Sequence, residues 1–146
     1  MRKIYIGADS AGYELKEKVK IYLQNNGYEV VDCGCDSTAS CHYPEFASKV
    51  CEGVLAEEGA LGILICGTGI GMSIAANKVK GIRCAHVTDA FSAEMTRKHN
   101  NANVLALGAR ITSKEDCVKF VDIFLNTAFE GGRHAIRVNK VMEIEK

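Results

Sequence analysis

Five short runs rich in β-branched and apolar residues recur along the chain, at 4–7, 28–32, 62–65, 83–87 and 103–107, and between them the apolar spacing changes to that of a helix. The runs have the length and residue types of strands. Leu15, Val19, Tyr22 and Leu23 mark one helical face, followed by Phe46, Val50, Val54 and Leu55, then Ile74, Ala75 and Val79, then Phe91, Met95 and His99. A helix inserted between successive strands makes those strands parallel. Near-continuous apolar runs such as LGILIC at 61–66 suit strands covered on both faces. The pattern therefore predicts an α/β fold: a doubly wound, five-stranded parallel sheet. Two further helices, over 113–126 and 132–145, end the pattern, the first with Ser113 and Asp116 as its N-terminal cap. The single proline, Pro44, stands at a helix start, where it is tolerated.

No repeat, low-complexity tract or long linker interrupts the alternation, and 146 residues with 47% hydrophobic and 25% charged side chains suit one domain, 1–146, with a full core. Lys plus Arg equals Asp plus Glu at 18 each, so no global field draws the chain to nucleic acid or an anionic membrane. An anion must be held by a local cluster. An odd count of seven cysteines and an opening MRKIYIGAD without an apolar signal region point to the reducing cytoplasm. Cys33, Cys35, Cys41 and Cys51 lack the paired spacing of zinc ligands, so no metal is expected.

In open α/β sheets ligands bind beyond the carboxyl ends of the strands, where strand order reverses. Asp9-Ser10-Ala11-Gly12 follows the first strand as a turn into a helix. Cys66-Gly67-Thr68-Gly69-Ile70-Gly71 follows the third, and its alternating glycines let backbone N–H groups converge on an anion. Dinucleotide binding is the competing use of such a loop. Met72 stands where the third glycine of that fingerprint belongs, although Asp89, about twenty residues on, occupies the position of a ribose-binding acid. No Gly-Lys-Ser/Thr follows the loop, which removes a nucleoside triphosphate site. Taken alone, Cys66 reads as a small buried apolar residue. Next to converging N–H groups it becomes a candidate base or nucleophile, because positive potential favours a thiolate. His99, Asn100 and Asn101 form a polar helix end, Arg110 follows the fifth strand, and Arg133 and Arg137 share a face of the last helix with His134 between them. Planar guanidinium groups at a helix start match phosphate oxygens.

Together IYIGAD, AGYELK, HYPEFA, LICGTGIGMSIAANK, RKHNNANVLALGAR and FEGGRHAIRV, in this order, make the chain similar to the type B ribose-5-phosphate isomerases over nearly its whole length. The resemblance implies a Rossmann-like domain and a homodimer, or a pair of dimers, whose active sites are shared between subunits. It implies no cofactor, and a sugar phosphate as the small-molecule partner. It also implies isomerisation of ribose 5-phosphate and ribulose 5-phosphate through an enediolate, with Cys66 as base, Thr68 assisting and His99 opening the ring. Asp9, Ser10, Gly67, Gly69, Gly71, Asn100, Arg110, Arg133, His134 and Arg137 would then bind substrate. Ser10 departs from the family, which commonly has Asp-His after the first strand, and leaves open a hexose 6-phosphate of the allose or galactose type. A non-catalytic nucleotide-binding module is the remaining alternative. Related galactose-6-phosphate isomerases divide these motifs between two different subunits, whereas this sequence keeps Cys66, Thr68, His99 and Arg133 in one chain.

Overall fold

Strand and helix alternate as the periodicity predicts: β1 (Lys3–Ala8), α1 (Tyr13–Asn25), β2 (Glu29–Asp32), α2 (Tyr43–Ala56), β3 (Leu61–Cys66), α3 (Ile70–Ala76), β4 (Cys84–His86), α4 (Ala90–Lys98), β5 (Val104–Gly108), α5 (Lys114–Leu125) and α6 (Arg133–Glu143). This is a computed structural model, and it describes residues 2–145. All four strand pairings are parallel, in the order β2-β1-β3-β5-β4. One apolar cluster packs Leu15, Val19 and Leu23 of α1 and Phe120, Val121 and Phe124 of α5 against one face of the sheet. A second packs Val50 and Val54 of α2 and Met72 and Ala76 of α3 against the other. Among the described residues no helix is long and apolar enough to cross a membrane, and the seven cysteines are unpaired.

Two boundaries differ from the periodicity for local reasons. Helix α3 ends before Val79, because the Asn77 side chain accepts from the Cys84 N–H at 2.8 Å and donates to the Cys84 carbonyl at 2.9 Å, which turns the chain into β4. Strand β4 begins one residue after Arg83, whose N–H is taken by the Asn103 side chain at 2.7 Å. Ser113 caps α5 as expected, accepting from the Asp116 N–H at 3.1 Å.

After β1 the chain crosses to β2 on one side, and after β3 it leaves for the other side, so strand order reverses between β1 and β3. The loops at 9–12 and 67–69 face each other there. An ion pair anchors α1 to the end of β2: Lys16, 1% exposed, donates to both oxygens of the more accessible Asp32 at 2.9 and 2.7 Å. Asp32 in turn accepts from the Gly34 N–H at 2.8 Å, and Gly34 accepts from the Ala8 N–H at 2.8 Å, which extends the pairing of β1 towards the site. Burial alone would raise the Asp32 carboxyl, but hydrogen bonds from Lys16 and Lys20 outweigh it and hold it below its usual range. Asp32→Ala leaves the buried Lys16 ammonium with Glu17 alone, at 3.0 Å, and should cost about 1–3 kcal/mol in chemical denaturation, against less than about 1 kcal/mol for the more exposed Lys20→Ala. Because the folded carboxyl is depressed, its contribution is present above about pH 4 and is lost as pH falls through the lower folded value. A pH series of unfolding curves for wild type and Asp32→Ala checks that sign.

Candidate active site

At the carboxyl ends of the strands, the Asp9 carboxylate accepts the Gly12 N–H at 3.0 Å, so this residue closes the turn before α1 instead of capping it. A side chain at Gly12 would run into the Ile65 backbone, so the turn after β1 rests directly on the end of β3. Ser10 lies half-buried in the same turn. Cys66 combines the two expectations for it: it is 6% exposed within the second apolar cluster, yet its Sγ accepts the Gly69 N–H at 3.1 Å. Gly69 has φ +84°, and a Cβ there would stand 2.7 Å from the His86 ring, so the loop needs glycine at this point.

Of the five amides from 67 to 71, that of Gly69 is used by Cys66 and that of Ile70 by the Thr68 hydroxyl at 3.2 Å. Those of Gly67, Thr68 and Gly71 have no acceptor among the described residues. The Arg110 guanidinium lies directly over Gly67, 3.3 Å from where a Cβ would be, and the Arg110 N–H donates to the Gly67 carbonyl at 2.9 Å. Three free N–H donors on one loop, with a guanidinium over its first residue, can hold an oxyanion beside a thiol.

His86 is a site residue that the sequence patterns do not single out. Its Nε2 lies 2.7 Å from the Thr68 carbonyl and donates to it, fixing the peptide whose N–H, that of Gly69, is directed at the Cys66 sulfur. The available signal was its place at the carboxyl end of a strand. Tyr43 is a second: a Cβ at Gly71 would come 2.8 Å from its ring, which closes one side of the loop. Neighbouring His42 occupies the N-cap of α2 without bonding through its side chain. Asp89, considered above for a ribose, accepts the Ser92 N–H at 2.7 Å and caps α4.

His99, Asn100, His134 and Arg137 lie elsewhere. His99 ends α4, and Asn103 just beyond it accepts the Gly62 N–H at 2.9 Å, which places this group at the amino-terminal end of the sheet. Cys66 is in register with Gly108, at the far end of β5. A strand of that length separates the groups by about 13–17 Å. At the lower end the rings of His99 and His134 stack at 4.1 Å and 10°, and Glu130 Oε1 lies 3.6 Å from one Nε2 and 3.4 Å from the other. Burial, then His99, Arg133 and Arg137, lower the His134 pKa against the opposing pull of Glu130. A cleft of about 900 Å³ opens here between α6 and β4, lined by His99, Asn100, His134 and Arg137, and it does not reach Cys66. The chain thus holds two groups of candidate site residues at opposite ends of one sheet.

The family model for Ribose/Galactose Isomerase matches residues 4–141. The chain is 44% identical to ribose-5-phosphate isomerase B of Escherichia coli, over 100% of this chain and 98% of that one. Among solved structures, the ribose-5-phosphate isomerase B of Clostridium thermocellum superimposes with a TM-score of 0.96 at 50% identity, covering 98% of this chain and 97% of that one. The ribose 5-phosphate isomerase of Thermotoga maritima gives 0.94 at 49%, covering 97% and 98%.

His86→Ala should leave the fold intact and release the Thr68 peptide. Hydrogen exchange at the amides of 67–71 should then accelerate roughly fivefold, equivalent to the loss of about 1 kcal/mol of hydrogen bonding, while exchange in β1 and β3 stays as it was.

Proposed function

The chain belongs to the ribose/galactose isomerase family, and we propose that it interconverts ribose 5-phosphate and ribulose 5-phosphate in an active site built from two copies of the chain. The observation that carries this reading is the division of chemically complementary groups between the two ends of the sheet. The Cys66 thiol, the free amides and Arg110 stand at one end, and His99, Asn100, His134 and Arg137 at the other. Proton transfer between adjacent carbons needs a base and an oxyanion site. Opening a furanose ring needs an acid or base at the ring oxygen, and the phosphate needs cationic donors. Neither half-site contains all of these.

In this mechanism one copy supplies Cys66, whose thiolate takes the C2 proton and returns it at C1. Thr68 passes protons between the oxygens. The amides of Gly67, Thr68 and Gly71 hold the enediolate, each donor contributing on the order of 3–4 kcal/mol to the transition state. Gly69 keeps the loop in its left-handed turn and directs its own N–H to the sulfur. Asp9 and Ser10, in the turn after β1, face the sugar, and Arg110 covers Gly67. The second copy supplies His99 to open the ring and Asn100 to orient it, while Arg133, His134 and Arg137 grip the phosphate. Ser10, in place of the imidazole common in the family, supports a second reading in which a hexose 6-phosphate is preferred, since the smaller side chain leaves room beside the sugar.

Cys66→Ala should lower turnover of ribose 5-phosphate by roughly 10²–10⁴-fold, the range for loss of a general base, with substrate binding retained in calorimetry. Allose 6-phosphate and galactose 6-phosphate assayed beside it decide the chain length. Turnover confined to a hexose phosphate would move the substrate and keep the mechanism. His99→Asn should likewise be inactive on cyclic substrate. Mixing Cys66→Ala with His99→Asn after subunit exchange should restore about a quarter of wild-type activity, because half of the dimers are mixed and each mixed dimer carries one intact site of two. No recovery in demonstrably mixed dimers would refute the shared site.

A further inference from the structure

The contact among His99, Glu130 and His134 has a geometry that ring opening alone does not require. Glu130 Oε1 lies 3.6 Å from His99 Nε2 and 3.4 Å from His134 Nε2, and one ligand atom from each residue falls within 4.8 Å of the other two. In a tetrahedral site with bonds of about 2.0–2.1 Å the ligand atoms stand about 3.3–3.4 Å apart. Both carboxylate-to-imidazole edges are therefore already near the required length, and because the rings stack within 10° of parallel, one imidazole must swing out of the stack to direct its lone pair at the same ion. The sites of the three residues differ in rigidity. His134 is buried in the first turn of α6, His99 ends α4, and the Glu130 N–H is tied to the Lys98 carbonyl at 3.1 Å, so the backbones are fixed before any ion arrives.

We propose that His99, Glu130 and His134 form a three-ligand site for a borderline divalent transition-metal ion of the Zn²⁺ and Co²⁺ type, and that an ion bound there reversibly inhibits the enzyme. Two imidazoles and one carboxylate suit such ions and select against Mg²⁺ and Ca²⁺, which prefer all-oxygen shells. Three protein ligands leave a position facing the cleft for water or a substrate oxygen. The nearby Arg133 and Arg137 guanidiniums repel a cation, which sets the affinity at the level of an exchangeable inhibitor and below that of a resident cofactor. Inhibition follows because the ion occupies His99 Nε2 and removes the imidazole assigned to the ring oxygen. This inhibitory half rests on the function proposed above; the binding half does not.

Co²⁺ is the probe, because its visible absorption reports ligand type and the seven cysteines would announce themselves by thiolate charge transfer. Untagged wild type should bind about one Co²⁺ per chain, with nitrogen and oxygen ligands only. Glu130→Gln, an exposed and structurally mild change, should weaken binding at least roughly tenfold, since loss of even an outer-shell partner typically costs that much. His134→Asn should do the same, and His42→Asn, away from the cluster, should bind as wild type within about twofold. A thiolate band, or affinity unchanged in Glu130→Gln, would overturn the site. Co²⁺ should also inhibit ribose 5-phosphate turnover at the concentrations that fill the site, with recovery on chelation and a parallel tenfold loss of sensitivity in Glu130→Gln. Filled sites with full turnover would overturn the inhibitory half and leave the site standing.

Discussion

Every strand of the sheet runs in the same direction, and every return is made by a helix on one of its faces. Residues that follow a strand are thereby gathered at one end of the molecule, and residues that follow a helix at the other. Cys66, the glycine loop and Arg110 follow strands. His99 and Asn100 follow α4, and Glu130, His134 and Arg137 gather beside them. No side-chain adjustment brings the groups together across the length of β5, so their separation within one chain is a property of parallel pairing.

In the upper group, backbone stands in place of side chains. Gly12 lets the turn after β1 rest on β3, and Gly69 lets the loop after β3 pass beneath His86. The closeness has two effects. It leaves the amide hydrogens of Gly67, Thr68 and Gly71 without partners among the described residues, and it holds the loop through contacts that use none of its side chains except Thr68 and Cys66. The Lys16–Asp32 pair under the β1 turn belongs to the same arrangement, since it anchors α1 to the end of β2 and, through Gly34, to Ala8. Such an ion pair stabilises little by itself; here it specifies where α1 meets the end of β2.

The lower group is built on different physics. Its members are long side chains on the ends of α4 and α6, held by ring stacking and by a carboxylate placed between two imidazoles. Apart from His134 and Val138, α6 is partly or fully exposed, with Ile136, Val141 and Ile144 turned out of the core. That arrangement leaves this group open along the cleft between α6 and β4.

The sequence by itself determined the element order, the parallel sheet and most boundaries to within a residue or two, because period 2 and period 3.6 are short-range signals that burial on a sheet or a helix face imposes directly. It also marked Cys66, the glycine loop and the arginines, since each carries its chemistry in its own residue type. The ends of α3 and β4 were not legible, because the Asn77 and Asn103 side chains that set them act on residues seven and twenty positions away. His86, Tyr43 and Glu130 escaped for the same reason: an imidazole on a carbonyl, a ring against a glycine and a carboxylate between two histidines have no spacing signature. Only the tertiary structure decided that His99 belongs with His134 and away from Cys66, because strand direction, which fixes the end of the sheet each residue reaches, is settled by how the whole chain packs.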